Sequence, residues 1–189
     1  MSRDLGAAAN RAKRQRSRGR IGDVVSLRHA VTGAENEFVV HEEPVWRDRA
    51  DFIISAALRE SDLPKRFEQL WVRQVADDEF EVCCVPFFLY DIALGDVVRT
   101  SARGDRRYVV ERVVVPSGRF VFRVWFGDSF FPRDAIATDL VALGAQIERS
   151  SVNLLAVDTE DQDQAQAVAD YLATREARGE LKYETGQTA

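Results

Sequence analysis

Residues 117–186 alternate strand-like and helix-like apolar patterns, and the order of these patterns limits the possible folds more than any other feature of the sequence. Phe120–Phe126 is apolar on both faces, as a central strand of a sheet requires. Ile136, Leu140 and Leu143 then recur at helical spacing. The remaining patterns are a short strand at 145–149, a strand at 152–157, a second amphipathic helix around 165–172 and a last short strand at 181–184. This β-α-β-β-α-β order predicts a ferredoxin-like domain, with both helices on one face of a four-stranded sheet.

The preceding residues, 37–116, have a different pattern. Short apolar runs follow one another at a spacing of about ten residues, and turn residues such as Asp77-Asp78 separate them. The predicted strands are 52–58, 67–75, 80–84, 97–100 and 108–115. The sequence therefore predicts an α+β chain, in which a small antiparallel β-barrel of the SH3-like kind (37–116) precedes the ferredoxin-like domain (117–186).

A basic segment precedes this acidic body. Residues 1–36 contain eight basic and three acidic residues and carry a net +5, whereas the other 18 basic and 28 acidic residues give a net −10. Residues 1–20 offer little apolar surface to bury, which predicts a disordered tail. The tail is either an electrostatic arm for nucleic acid or an acidic partner, or a solvated extension, including one produced by a start codon assigned too far upstream. Its candidate contact residues are Arg11, Lys13, Arg14, Arg16, Arg18 and Arg20.

The stretch Glu79–Val98 joins two predicted strands through an unusually apolar loop. Two alternatives remain open for it. In the first, the loop aromatics form a binding surface. In the second, Phe87 and Phe88 plug the end of the barrel, and Leu89 and Ile92 pack under the second domain. The candidate interaction surface comprises Phe87, Phe88, Tyr90, Asp91, Trp125, Phe130 and Phe131.

Few residues are of the types that usually carry catalysis or bind metals. The two histidines, His29 and His41, lack the partners of a catalytic triad or a zinc site. His41, which precedes two glutamates, is interpreted as part of a solvated strand end. Cys83 and Cys84 lack the spacing of a redox or metal pair, and they point to opposite faces of a strand. That places Cys84 in the core and leaves Cys83 partly exposed at most.

Acidic residues gather at the start of the second helix, at Asp158, Glu160, Asp161 and Asp163. They are interpreted as helix caps, because a calcium-type site would need a glycine turn that is missing. No nucleotide-binding or hydrolase motif occurs. The sequence therefore predicts no catalytic residues, no metal and no cofactor, and leaves enzymatic activity uncertain but leaning towards none. The enzyme alternative would use Cys83, Asp91 or Asp96 beside a pocket between the domains. Asp96 is better explained as fixing its own turn through backbone N–H groups.

The predicted second domain shares its element order with the RNA-recognition motif. That module stacks bases on outward-facing aromatics of its two central strands. Here the first central strand offers Phe122 and Trp125, and the other, 152–157, contains no aromatic. Its apolar residues on both faces indicate instead that the barrel or another subunit covers this face of the sheet.

Several short motifs occur together in the chain: E-Q-L-W at 68–71, P-F-F at 86–88, A-L-G-D-V-V at 93–98, P-S-G at 116–118 and L-L-A-V-D at 154–158. In this combination, residues 38–185 resemble the bacterial domain-of-unknown-function family 4265. The resemblance implies a bacterial origin and the architecture of that family. It implies no established activity and carries no catalytic residues.

The leading functional hypothesis is a non-enzymatic, cytoplasmic protein-interaction or regulatory module. It follows from the missing catalytic constellations and from the spare apolar surface of the predicted ferredoxin-like sheet. The partner is another protein or a second copy of the chain, and an immunity- or antitoxin-type role suits the acidic body because it complements a basic partner. The alternatives are a nucleic-acid-binding protein that uses residues 1–20 and an enzyme with an unrecognised site. Because no apolar run reaches the ~20 residues of a membrane span and no signal peptide is recognised, a cytoplasmic location without membrane contact is expected.

Overall fold

The computed structural model describes residues 36–58, 65–127 and 133–187, which form two sheets with two helices. The strands of the first sheet are β1 (Asn36–Val39), β2 (Phe52–Ala57), β3 (Lys65–Ala76), β4 (Glu79–Val82), β5 (Val97–Arg103) and β6 (Arg106–Val115). Strands β2 to β6 coincide with the five predicted barrel strands. The four-residue β1 is additional, because it is too short to show an alternating pattern. The basic tail and its six candidate residues lie outside the described residues.

Strands β2 to β6 close into a five-stranded barrel, as predicted, but the barrel is not wholly antiparallel, because β2 and β6 pair in parallel. The strand order is β3-β2-β6-β5-β4, and β4 pairs again with β3 to complete the ring. The 12-residue β3 allows this closure, because one edge of it pairs with β1 near its start and with β4 near its end. The contact between β2 and β6 is sparse: within the described residues these strands share one registered pair, Ser55 with Val109.

Side chains that alternate along the strands fill the barrel. In β4, Phe80 and Val82 are fully buried, and the two glutamates that alternate with them face the outside and pair with arginines. The rings of Phe52, Phe80 and Tyr108 pack together with centroids 5.0–5.5 Å apart. The other buried core residues are Ile54, Ala56, Leu70, Val72, Cys84, Leu89 and Val98.

The second sheet contains four antiparallel strands in the order β10-β7-β9-β8. Its elements are β7 (Phe120–Trp125), α1 (Arg133–Ala142), β8 (Gln146–Arg149), β9 (Leu154–Thr159), α2 (Gln162–Ala177) and β10 (Lys182–Thr185). The chain therefore follows the β-α-β-β-α-β order that the sequence patterns predict. Neither described helix is long and apolar enough to cross a membrane.

One face of this sheet packs against both helices. The buried residues of that face and of the helices are Phe122, Val124, Ile136, Leu140, Leu155, Val157, Val168 and Leu172. Asp161 caps α2, since its carboxylate accepts the Gln164 N–H at 2.8 Å, and this confirms the cap interpretation for that residue. Leu143 differs from its prediction: it lies beyond the end of α1 and is 38% exposed, because Gly144 turns the chain with φ +86°.

The opposite face of the sheet packs against the barrel. Val121 of β7 and Ala156 of β9 are buried in a cluster with Val39, Val85, Phe87, Ala93 and Leu94. The face that an RNA-recognition motif leaves open is therefore covered by the barrel, which is one of the two coverings that the sequence indicated. Phe122 lies on the helix side, away from this face.

Candidate functional site

The loop between β4 and β5 lies between the barrel and the second sheet. It begins with Cys83 and Cys84, both fully buried, and the Cys83 N–H donates to the Trp71 carbonyl of β3 at 2.8 Å. Residues 85–94 then pass between the two sheets before β5 begins. We call residues 85–94 the junction loop.

A buried charged network lies beside the junction loop. His41 Nε2 is 3.0 Å from Oε1 of Glu68, on β3, and His41 Nδ1 is 2.5 Å from Oε2 of Glu148, on β8. The exposed fractions are 3% for His41, 0% for Glu68 and 4% for Glu148. One imidazole thus joins a carboxylate of the barrel to a carboxylate of the second sheet.

The same two carboxylates hold the junction loop by its backbone. Glu148 Oε1 accepts the N–H groups of Val45 and Val85 at 3.0 and 2.8 Å. Glu68 accepts those of Phe87 and Phe88 at 2.7 and 2.9 Å, one on each oxygen. A buried carboxylate is stable only when its oxygens are hydrogen-bonded, and a buried loop is stable only when its N–H groups are. The buried loop and the two buried carboxylates therefore satisfy each other's hydrogen-bonding groups.

The His41 ring is fixed from several sides. The ring stacks on Phe87 with centroids 4.1 Å apart and planes 10° apart. The backbone carbonyl of His41 accepts the Trp71 indole N–H at 3.0 Å. Burial alone lowers the pKa of His41, but the neighbouring Cys84, Glu148 and Glu68 outweigh burial and hold the pKa well above its usual 6.5. His41 is therefore an imidazolium that donates to both carboxylates.

A second set of contacts holds the far end of the junction loop. The guanidinium of Arg123, on β7, is 1% exposed, donates to the Leu89 carbonyl and lies 3.3 Å from Glu184 of β10. It also stacks on the Tyr90 ring at 4.3 Å, and the Tyr90 hydroxyl donates to Glu184 at 2.8 Å. The Asp91 N–H donates to the carbonyl of residue 186 at 2.7 Å. The loop is thus bonded to the second sheet at Leu89 to Asp91 as well as at Val85.

The turn that ends the junction loop is fixed by Asp96. Its carboxylate accepts the Ala93 N–H at 2.8 Å and the Ser117 N–H at 2.6 Å, which agrees with the backbone role predicted for this residue. Gly95 has φ +80°, and a Cβ there would lie 3.3 Å from both Ser117 Cβ and the Trp46 ring. Only glycine fits this position without strain.

A cleft of about 340 Å³ opens on the outer side of the junction loop. Its walls come from the end of β2, the junction loop and β5 to β6, through Ala56, Ala57, Leu58, Phe88, Leu89, Tyr90, Ile92, Arg103, Val110 and Glu111. The cleft lies where β2 and β6 separate after their one registered pair. Its volume falls within the range of about 300–1,000 Å³ that is typical of ligand sites.

The structure divides the predicted interaction surface. Phe87 is 1% exposed and packs between the sheets, Phe88 is half-buried at the cleft, and Tyr90 is 38% exposed. Asp91 is exposed, with φ +59°, and Trp125 is half-buried on the second sheet. Phe130 and Phe131 lie outside the described residues. The alternative packing scheme is wrong, because Leu89 and Ile92 contact the barrel core, whereas Phe87 and Phe88 pack between the sheets.

The core clusters show where these four side chains pack. Phe87 and Phe88 pack in the cluster between the sheets. Leu89 and Ile92, which were assigned to the second domain, instead contact the barrel core. The junction loop therefore bonds by its backbone to both sheets, and its side chains divide between the barrel core and the cluster between the sheets.

Two sequence-based interpretations are wrong, those of His41 and Asp158. His41 is not solvated, because Glu68 and Glu148 bind it from strands that are distant in sequence. Cys83 is fully buried, which lies within the limit of partial exposure that the sequence set. Asp158 is not a cap: it is fully buried and pairs with Arg119 at 2.5 Å. Burial outweighs the Arg119 guanidinium and raises the pKa of Asp158.

The sequence patterns did not predict that Glu68 and Glu148 both bind His41. Glu68 stands at an inward-facing position between Phe67 and Leu70, and Glu148 stands in a strand beside Ile147. An acidic residue at a core position is a usable signal, because such a residue needs a buried partner. The identity of the partner carries no sequence signal, since His41 lies 27 positions from Glu68 and 107 positions from Glu148.

The chemistry of this network is that of a structural connection. Burial raises the pKa of the Cys83 thiol to about 11 and also raises the pKa of Cys84, so neither is a reactive thiolate at neutral pH. Among residues 36–58, 65–127 and 133–187, no group of histidine, cysteine and acidic side chains has the arrangement of a metal site.

Comparison with known families identifies the chain's relatives. A family model described as a domain of unknown function (DUF4265) matches residues 68–183, which is more than half of the chain. The chain belongs to this DUF4265 family. The match begins at Glu68 and includes both Glu148 and the junction loop.

A solved structure shares the fold. It is described as "Novel crystal structure of a hypothetical protein from Neisseria gonorrhoeae", and its similarity has a TM-score of 0.59 at 20% identity, covering 70% of this chain and 91% of that one. At this identity the likeness concerns the fold alone. A search of curated proteins gives no match.

Proposed function

We propose that this DUF4265 protein is a non-enzymatic protein-interaction module that binds its partner at the cleft beside the junction loop. The observation that carries the proposal is the double attachment of that loop. Glu68 and Glu148 bond its first half, and Arg123 bonds its second half. The cleft wall is therefore rigid before any partner arrives.

Rigidity matters because ordering a loop on binding weakens affinity. Each immobilised side chain costs about 0.5–1.5 kcal/mol when a complex forms. Phe88 is already positioned by its N–H bond to Glu68, and Tyr90 by Arg123 and Glu184. Pre-positioned aromatics beside a concave surface are typical of binding hot spots.

The same proposal includes the finer architecture. We take residues 37–116 as an SH3-like barrel domain and 117–186 as a ferredoxin-like domain. The strand order β10-β7-β9-β8 supports the second assignment, because it places the first and third strands of a β-α-β-β-α-β unit in the centre. The net −10 of the body favours a partner with basic character.

The test compares two charge reversals on otherwise identical chains. Glu111→Lys changes an exposed residue on the cleft rim, and Glu43→Lys changes an exposed residue away from it. Each full-length protein is immobilised and exposed to native lysate, and bound proteins are identified by mass spectrometry. Size-exclusion chromatography with light scattering gives the oligomeric state.

We expect one protein to be retained by the wild type and by Glu43→Lys and to be lost with Glu111→Lys. A second copy of the chain is an equally supporting partner if dimerisation shows the same dependence. A strict monomer that captures nothing, or capture that Glu111→Lys leaves unchanged, would contradict the proposal.

A further inference from the structure

We infer that the partner contributes an extended polypeptide strand, which pairs in the cleft with the β6-facing backbone groups of Ala57, at the end of β2. This inference rests on the proposed function and specifies the ligand class. Proteins commonly recognise peptides by adding a strand to an exposed sheet edge.

Within the described residues, Ala57, the last residue of β2, is registered with Phe67 of β3 and has no registered partner on the β6 side. The Leu58 N–H donates to the Arg66 carbonyl of β3 at 3.0 Å. Since backbone groups of successive strand residues point to opposite edges, those of Ala57 point away from β3 and towards β6. Ser55 points the same way and pairs with Val109, but no registered pair follows it in the described residues. The Ala57 N–H and C=O therefore face the cleft.

The walls of the cleft suit the side chains of a strand. Successive side chains of a strand point to opposite sides. One set would reach the apolar wall formed by Leu58, Phe88 and Ile92. The other set would lie at the rim, where Arg103 and Glu111 provide opposite charges for polar side chains. An alternating apolar and polar strand fits both surfaces, and its own N–H and C=O groups fit Ala57.

A nuclear magnetic resonance titration tests this pairing directly. The probe is the capped peptide acetyl-Ser-Val-Thr-Val-Thr-Val-Ser-amide, added to the full-length 15N-labelled chain. The matched control is the same peptide with N-methyl groups on its valines, which keeps the side chains and removes the N–H donors. The readouts are the amide shifts of Ala57 and Val110 and the dissociation constant of each peptide.

We expect saturable shifts at both amides, a dissociation constant of about 1 mM or tighter, and binding at least about tenfold weaker for the N-methylated peptide. Ala57→Pro removes the cleft-facing N–H and is expected to weaken binding as strongly, provided that its circular dichroism spectrum matches the wild type. If that variant fails to fold, the comparison of the two peptides decides alone.

Equal binding of the two peptides would overturn strand pairing, and so would the absence of shifts at the cleft. The two proposals fail separately. A partner that depends on Glu111 but is displaced equally by both peptides would leave the interaction function intact without strand pairing. Strand binding by a chain that captures no partner would support the pairing and contradict the proposed function.

Discussion

The two faces of the second sheet bury different chemistry. The helix face is apolar, with Phe122 and Leu155 among its buried residues. The barrel face buries three charged side chains: Glu148 at 4% exposed, Arg123 at 1% and Asp158 at 0%. The difference follows from what each face covers. Helices satisfy their own backbone groups, whereas the junction loop presents N–H and C=O groups that need partners.

This contrast indicates how the two faces fix position. Apolar packing is non-directional, so the helices are located mainly by shape. Hydrogen bonds from Glu148 and Arg123 are directional and specify where the loop lies. Buried charges in general add little net stability compared with apolar residues of the same size, but removing one partner is costly. The barrel face should therefore be the more sensitive of the two to single substitutions.

The largest expected effect is that of Glu148→Ala. The change leaves the His41 imidazolium with one carboxylate and leaves the Val45 and Val85 N–H groups without acceptors. We expect a loss of about 3–5 kcal/mol in the free energy of unfolding, measured by urea denaturation. Glu160→Ala, whose side chain is 79% exposed, is the control and should change it by less than about 0.5 kcal/mol. A loss below 1 kcal/mol for Glu148→Ala would mean that the network is not a structural connection.

The helix face provides the matching measurement. Leu155 is 0% exposed on β9, and Leu155→Ala should cost about 3 kcal/mol through lost burial and the cavity that remains. The same denaturation experiment at several pH values separates the two faces. The cost of Leu155→Ala should not vary with pH, whereas the cost of Glu148→Ala should, because only the latter changes a titrating network. If the loss in unfolding free energy for Leu155→Ala varied with pH, the proposed difference between the helix face and the barrel face would be contradicted.

The pH dependence of stability follows from His41. Its pKa in the folded chain is well above 6.5, so the imidazolium stabilises the fold fully below about pH 6.5, and this contribution is lost as the pH rises through the folded pKa. Between about pH 6.5 and 8 the free energy of unfolding should fall by at most about 1.4 kcal/mol per pH unit. Below pH 8 the raised pKa of Cys84, which acts in the same direction, contributes little.

The control for this slope is His41→Gln, which keeps hydrogen-bonding capacity and removes the titration. Its unfolding free energy, measured by urea denaturation at the same pH values, should be nearly flat across the window. If wild type and variant show the same slope, His41 is not the group responsible.

The contrast between the faces also explains what the sequence could predict. Apolar positions such as Leu140 and Val168 recur with helical period, and the barrel strands alternate as Phe80 and Val82 do, so the elements and both cores were predictable. The network was not predictable, because His41 satisfies Glu148 across 107 residues and no local pattern records that contact. For the same reason, the sequence did not determine which side chains of the junction loop pack against the barrel and which pack between the sheets.

The smallest expected effect tests the turn that closes the junction. Gly95→Ala and Gly118→Ala place a methyl group at the same backbone angle, φ +80°, in different surroundings. At Gly118 nothing lies within 4 Å of the new Cβ, so the variant should lose only the cost of the left-handed conformation, about 1–2 kcal/mol. At Gly95 the methyl group meets Ser117 and Trp46 at 3.3 Å. We expect a further loss of about 1 kcal/mol there, measured as the difference between the two urea midpoints. Equal losses would show that Trp46 and Ser117 move aside, and that the junction is less rigid where Asp96 holds it than where Glu68 and Glu148 do.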